Sequence, residues 1–478
     1  MLRMGKLHVE TEDRGTATRF GGLALVEQFC RRFGVAAKID EHVEVLKLHL
    51  PYHESDHVLA QALSLYAGGT CLEDLMLLQH DEAIKRMLGA CRLPDPTTAG
   101  DFLRRFDTVE HPDALPGLRQ AHDELQEQVW RQLSRRERRR RKREWAVIDI
   151  DSHLKELCGV QKEGADFSYN GKWSYHPLLV SLASTGECLA LRNRPGNVTS
   201  GDGAAELVDE VLGRVGEHFD QVLVRGDSGF DLAKLREVIE SHGGHFAFVS
   251  PAWTGRPKYA DSLPEQAFRP FRTRAARRRQ ARRAQPDYRP RRKKRNRRRQ
   301  RARARRYLEL RLLRQWVAET TYQPPGTDHR YRLIIRRQLI DNRRGQESLF
   351  DEFRYRFVVT NLPATVSADE AIDMTYERCD QENLIEQMGS GLAAWRMPVA
   401  EFDGNSAWLE IARLAWNMAK WIAQLVLPAE VVRWEWKRFR LHYVLVPAQV
   451  IKRARQWWVR LLGPRSLIDP LLLAFDDL

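Results

Sequence analysis

Three acids pose the chemical question. Asp151 closes the apolar segment Trp145–Asp151 (WAVIDID), and Asp227 closes a second one, Gln221–Asp227 (QVLVRGD). Both segments read as short buried strands that end in turn-forming residues. In an α/β sheet, the carboxyl ends of strands are where side chains converge on a ligand. Two carboxylates held together there repel each other unless a cation stands between them. Mg²⁺ selects such oxygen ligands and keeps positions open for water and phosphate. A third acid, supplied by a helix, would complete a site for two ions roughly 4 Å apart, suited to in-line displacement at phosphorus. Glu382 is the candidate, within the helical segment Thr375–Glu386 (TYERCDQENLIE). Arg378, Glu382 and Glu386 are four residues apart and so share one helix face. An arginine one turn from the glutamate is placed to hold a phosphate oxygen. Asp149 rivals Asp151, two residues earlier on the same strand face.

Each acid also has an ordinary structural explanation. An Asp at a strand end commonly caps a turn, and Asp227-Ser-Gly would make one. A Glu flanked by charges on a helix is commonly part of a solvated face. Ser228 is no nucleophile elbow, because Gly-Asp-Ser-Gly lacks the G-x-S-x-G pattern. The pair Gly201 and Gly203 lacks a complete phosphate-binding pattern. The tryptophans at 408, 416, 421, 434 and 436 read as core before they read as a base-stacking platform.

The elements that must position the acids follow from periodicity. Residues 1–134 read as helical: Val26, Phe29, Cys30 and Phe33 repeat at helical spacing, and a short helix runs from Asp81 to Leu88 with Gly89 as its stop. Thr98 and Asp101 suggest a capping box ahead of Phe102, Leu103 and Phe106. Beyond the basic run Arg135–Arg143 the pattern turns to strands. Trp145–Asp151 is followed by His176–Ser184 and Glu187–Arg194 around the tight turn Thr185-Gly186. A helix over Asp202–Val215, the strand Gln221–Asp227, a helix over Asp231–Ser241 and the strand His245–Ser250 come next. Three strands in a meander, then helix, strand, helix, strand is the order of a ribonuclease H-like α/β domain, although other mixed α/β folds share parts of it. In that order the first and fourth strands are neighbours, so Asp151 and Asp227 would face each other. Residues 251–360 interrupt the pattern with an Arg-rich stretch and a hairpin, Tyr331–Ile340 with Phe353–Thr360. Helical character resumes at Ala371 and continues to Val426. The expected architecture is therefore α/β: a helical N-terminal domain, a core over 145–250, an inserted 251–360, completion of the core over 361–426, and a C-terminal region over 427–478.

Charge points to the partner. The chain has 478 residues and a formal net charge of +14. The stretch Phe268–Arg306 is dense in Lys and Arg with the single acid Asp287, and with Arg135–Arg143 it outweighs the net charge. Basic blocks in an otherwise acidic body suit a phosphate backbone, DNA or RNA, and Arg291, Arg292, Lys293 and Lys294 are the candidate contacts in the longer block. No apolar stretch is long enough to span a bilayer, and the N-terminus lacks the apolar core of a signal peptide. The six cysteines are scattered, without C-x-x-C pairs, which fits a reduced cytoplasmic protein without structural zinc.

The segments IDIDSH (148–153), LRNRPGNVTSGDGAAEL (191–207), VLVRGDSGF (222–230), YERCDQENLIE (376–386) and EFDGNSAWLEIARLAWNMA (401–419) resemble the DDE transposases of bacterial insertion sequences. The motifs occur in the family's order, with a β-rich insertion between the second Asp and the Glu. The resemblance implies that Asp151, Asp227 and Glu382 form the catalytic, metal-binding triad, served by two Mg²⁺ ions or by Mn²⁺ in their place. It also implies that Tyr376 and Arg378 belong to a Tyr…Arg…Glu…Lys signature whose phenolic and basic members touch DNA phosphate. Tyr376 sits one residue closer to Arg378 than in the commonest form, and Gly389 stands where the Lys is usual. The activity implied is DNA transposition: terminal inverted repeats bound, strands cut and joined to target double-stranded DNA by a homodimeric synaptic complex in the bacterial cytoplasm, at the nucleoid. A chain that only binds DNA, or a nuclease that cuts without joining, are the alternatives.

Overall fold

A computed structural model describes residues 16–252, 255–283, 310–324, 328–342 and 352–478. It is a mixed α/β protein whose chain divides into two compact units. One comprises 1–144, 152–198 and 381–478, and the other 145–151 and 199–380.

The first unit is mainly helical. The helix Leu23–Phe33 buries Leu23, Leu25, Val26, Phe29 and Phe33 and ends at Gly34, whose φ of 63° is the left-handed conformation glycine tolerates. The helix Glu82–Leu88 begins where Asp81 accepts from the Ile84 N–H and ends at Gly89, as its sequence predicts. The expected capping box is displaced. Asp95, not Thr98, caps the helix Pro96–Arg104, accepting from Thr98 N–H at 2.9 Å and Thr98 Oγ1 at 2.8 Å. Pro96 suits the first helical position because that turn has no partner for its N–H, so the helix starts earlier than the Thr98 signal indicates.

The long helix Phe402–Val426 organises this unit, packing on the helices Glu54–Ala67 and Ala114–Gln132 and on the strand Glu187–Arg192. Trp408, Trp416 and Trp421 are buried in its core, as their apolar spacing suggests. Its polar side chains serve the strand. Asn417 accepts from Cys188 N–H at 2.9 Å and donates to the Cys188 carbonyl at 2.8 Å. Arg413 donates to the Leu189 carbonyl at 3.0 Å, and Trp416 to that of Gly186 at 2.8 Å. A strand edge buried without such partners would lose the hydrogen bonds that water otherwise provides. The carboxylate of Glu187, fully buried, accepts from Trp130 and Trp421 at 2.9 and 2.8 Å and from Thr185 at 2.6 Å.

In the second unit seven strands lie in the order Arg269–Pro270, Leu310–Tyr322, Tyr331–Asn342, Glu352–Thr360, His245–Ser250, Gln221–Gly226, Trp145–Ser152. The last three are parallel, with the helix Ala233–Ser241 in the crossover between Gln221–Gly226 and His245–Ser250. Glu352–Thr360 pairs antiparallel with His245–Ser250, so the strands of residues 251–360 extend the sheet. The strand Leu310–Tyr322 was not legible in the sequence. It carries a register shift between Leu312 and Arg314, which breaks its alternation. The helix Ala368–Tyr376, opened by a Ser367–Glu370 capping box, packs Ala368, Ala371 and Ile372 against Leu223, Ala247, Val317, Ile334 and Val358.

Asn417→Leu is expected to cost about 2 kcal/mol, because two buried backbone groups lose their partner. The melting temperature should fall by about 2 to 3 °C. A value within about 1 °C of wild type would show that the helix-to-strand bridge is not needed.

Candidate active site

The strands Trp145–Ser152 and Gln221–Gly226 are parallel neighbours, in register from Trp145 opposite Gln221 to Asp149 opposite Arg225. Asp151 and Asp227 stand two residues beyond that last pair, at the same ends of adjacent strands.

Asp149 and Asp151 differ in burial. Asp149 is fully buried and both its oxygens accept from Arg225, which is only 3% exposed; the Nη2–Oδ2 distance is 3.0 Å. That carboxylate is committed to a guanidinium fork. Asp151 lies at the strand exit, partly exposed, with Arg378 Nη2 3.2 Å from its Oδ2.

Asp227 makes the turn its sequence suggests. Its Oδ1 accepts from Gly229 N–H at 2.8 Å and opens the short 3-10 turn Ser228–Phe230. The glycines on either side are required by close packing. A Cβ on Gly226 would lie 2.8 Å from Phe230 Cβ and 3.1 Å from Ile150 Cγ2. One on Gly229 would lie 3.0 Å from Ser200 Cβ, and one on Gly201 would lie 2.8 Å from the Gly229 carbonyl. The Thr199–Gly203 loop therefore sits directly against the Asp227 turn, so two separate sequence motifs form one surface.

The helix expected to run through Thr375–Glu386 is broken. It ends at Tyr376 and restarts at Cys379, which leaves Arg378 in the intervening turn. Arg225 bonds across this break. Besides Asp149, its guanidinium donates to the carbonyls of Met374 and, at 3.1 Å, Glu377. In an unbroken helix those carbonyls would accept from the N–H groups of Arg378 and Gln381. Terminal carbonyls of a helix lack intrahelical partners, and the guanidinium supplies them here. Arg225 thus joins the strand, its partner Asp149 and the turn that presents Arg378 to Asp151.

Tyr376 is half-buried, its ring 5.8 and 5.6 Å from the guanidinium carbons of Arg336 and Arg356. Burial raises its phenol above the ordinary tyrosine range, opposed by those two arginines. Glu382 is exposed on the helix Cys379–Glu386, and the division of the chain into units falls within that helix, after Asp380. Gly389 has no room for the usual Lys, since even a Cβ there would lie 2.6 Å from Trp395 Cδ1. Arg291, Arg292, Lys293 and Lys294 lie outside the described residues. His153, just after the Asp151 strand, has its pKa lowered to about 4, by burial first and then by Lys155 and His176, and is neutral at physiological pH.

Sequence reasoning missed two features. The first is Arg225 itself, although an arginine inside an apolar strand demands a buried anion, and Asp149 is placed at the matching offset from the strand exit. The second is an acidic stripe on the helix Ala368–Tyr376 and the turn after it: Asp369, Asp373 and Glu377, four residues apart. It is met by Arg269, by Arg277 at 2.8 Å and by Arg274, the last two from the helix Arg274–Arg283. Arg278, Arg279 and Arg282 on that same helix are exposed. Two tighter groups of possible metal ligands, Asp40 with His53 and Glu54 and Glu41 with His42 and Glu124, lie in the first unit. Their acids have structural partners: Glu54 accepts from Val45 and Leu46 N–H, Asp40 from Ser55, and Glu124 pairs with Lys38.

No curated protein matches the chain. Among solved structures it is similar to a piggyBac transposase synaptic complex with hairpin DNA, at 9% identity and a TM-score of 0.32, over 96% of this chain and 85% of that one. A likeness that low carries no argument about fold or function. The family described as Transposase DDE domain group 1, in contrast, matches residues 4–465, nearly the whole sequence. The motif order, the acids at the ends of adjacent strands and this match agree, and the chain belongs to that family of DDE transposases.

Proposed function

We propose that this chain is the transposase of a bacterial insertion sequence, cutting and joining DNA through Asp151, Asp227 and Glu382 on a ribonuclease H-like core. The observation that bears most weight is the placement of Asp151 and Asp227 at matching ends of adjacent parallel strands. Their side chains offer only oxygen, the donor set that suits Mg²⁺, with Mn²⁺ able to replace it. Asp151, Asp227 and Glu382 would hold two such ions. When bound, they supply activation of the attacking oxygen and charge stabilisation on the leaving one.

The chain's own groups do the rest. Arg378, in the turn fixed by Arg225, is near enough to Asp151 to neutralise a phosphate oxygen of the strand being cut. Tyr376 is the phenolic member of the same signature. Arg278, Arg279 and Arg282, together with Arg291, Arg292, Lys293 and Lys294, hold the backbone of double-stranded DNA. The N-terminal helices bind the terminal inverted repeats, and two copies pair two ends in the synaptic complex. Water attacks the phosphodiester at the element's border and frees a 3′-hydroxyl. That hydroxyl then attacks a target phosphodiester and expels the target strand's 3′-oxygen. Neither step needs ATP. The place of action is the bacterial cytoplasm, at the nucleoid.

Strand cleavage on terminal-repeat DNA is expected to require Mg²⁺ or Mn²⁺ and to stop when the metal is chelated. Asp227→Asn should slow it on the order of a thousandfold, with DNA binding retained. Undiminished cleavage would sink the triad. Cut ends without joined products would make the chain a nuclease, and salt-dependent binding without turnover would make it a DNA-binding protein alone. Replacing Arg278, Arg279 and Arg282 together by Gln should flatten the slope of log affinity against log salt by about 2 to 3. An unchanged slope would remove the arginine helix from the DNA path.

A further inference from the structure

The C-terminal hairpin pairs Ala448–Arg453 with Gln456–Leu461 across a two-residue turn. Ala454 and Arg455 in the turn have φ values of 47° and 63°, a left-handed pair that L side chains adopt only under strain. The base of the hairpin is anchored, because Ala448 and Val450 are buried and Val459 packs on the core. Every residue from Lys452 to Trp458 is exposed. The two tryptophans at the tip are adjacent and therefore point to opposite faces.

These faces differ. Trp457 stands opposite Lys452, whose Nζ is 5.4 Å from its ring centroid, with the Arg86 guanidinium at 5.9 Å. Trp458, 52% exposed, lies on the other face, two residues from Arg460 and diagonal to Arg453. None of Lys452, Arg453, Arg455 and Arg460 has an acidic partner among the described residues. Residues 436–468 contain eight Lys and Arg and not one acid. A surface of this size gains nothing for stability from an exposed indole between two arginines. It does match a nucleic acid strand, in which a base stacks on the ring and the flanking phosphates meet the cations. Duplex interiors offer no free base face, so the complementary partner is DNA with unpaired nucleotides.

We infer that the outward face of this hairpin, Trp458 with Arg453 and Arg460, binds unpaired bases of DNA, such as the opened or overhanging nucleotides at a cleaved end. This rests on the reading of the chain as a DNA-processing enzyme and adds to it a second DNA contact, distinct from the acids.

The test uses the full-length protein, a blunt duplex, and the same duplex with a short single-stranded overhang containing 2-aminopurine. Wild type should bind the overhang DNA about tenfold more tightly than the blunt one, with its fluorescence quenched. Trp458→Ala should abolish both the preference and the quenching, and Trp458→Phe should keep most of each. Arg453→Gln with Arg460→Gln should weaken binding to the overhang and lower its salt dependence. Equal preference in wild type and Trp458→Ala would overturn the inference. So would a Trp458→Ala variant that loses self-association but keeps the overhang preference, since the face would then join two copies of the chain. Cleavage by wild type and its loss in Asp227→Asn are scored separately, so a chain that cuts but shows no Trp458-dependent preference defeats this inference alone.

Discussion

The buried pair of Asp149 and Arg225 is the constraint on which the arrangement around the acids depends. A guanidinium in the middle of a parallel sheet has no access to water, and leaving its charge uncompensated would be strongly destabilising. The carboxylate opposite in register and two helix carbonyls meet that need together. Those carbonyls lie where the helix Ala368–Tyr376 ends, among the groups a helix terminus leaves without intrahelical partners. The residue after the accepting Glu377 is Arg378, which turns to Asp151. One side chain thus ties together the strand Trp145–Ser152, the end of the helix and the turn that carries Arg378 beside the candidate metal ligand.

Charge is divided in a way that composition hides. Much of the arginine content is neutralised within the protein. Arg269, Arg274 and Arg277 lie on the acidic stripe of Asp369, Asp373 and Glu377. In the run Arg135–Arg143, Arg141 is buried, donating to Gln424 with its guanidinium over Trp130. A helix that satisfies one row of acids with its inner arginines is held in place while its outer arginines face solvent. The number of positive residues therefore overstates, and their geometry defines, the surface open to a polyanion.

The helical unit manages buried polarity in the same manner. The long helix Phe402–Val426 presents Arg413, Trp416 and Asn417 to a strand whose edge would otherwise lack partners, while its other tryptophans fill the core. Where a Lys is usual in related signatures, Gly389 is imposed by Trp395, which also donates to the Ile385 carbonyl at 3.0 Å. The departure from the family pattern has a packing cause.

Local periodicity settled much of this protein in advance. The strand His245–Ser250, the helix ended by Gly89 and the placement of Asp151 and Asp227 at strand exits follow from alternation, capping and turn chemistry, because each depends on neighbours in sequence. The strand Leu310–Tyr322 escaped notice because its irregular register breaks the alternation that a reader of sequence relies on. Asp149 and Asp151 share a strand face, and local reasoning favours Asp151 only for its place nearer the strand exit; their difference in burial comes from what lies across the sheet. The break after Tyr376 is the clearest case: its residues are compatible with one continuous helix, and the guanidinium that bonds the carbonyls at the break lies 149 residues away in sequence. Sequence determined which acids reach the ends of the strands. Tertiary structure decided which of them is consumed by burial and which remains at the exit, because the need to compensate a buried charge is felt only once the strands are paired.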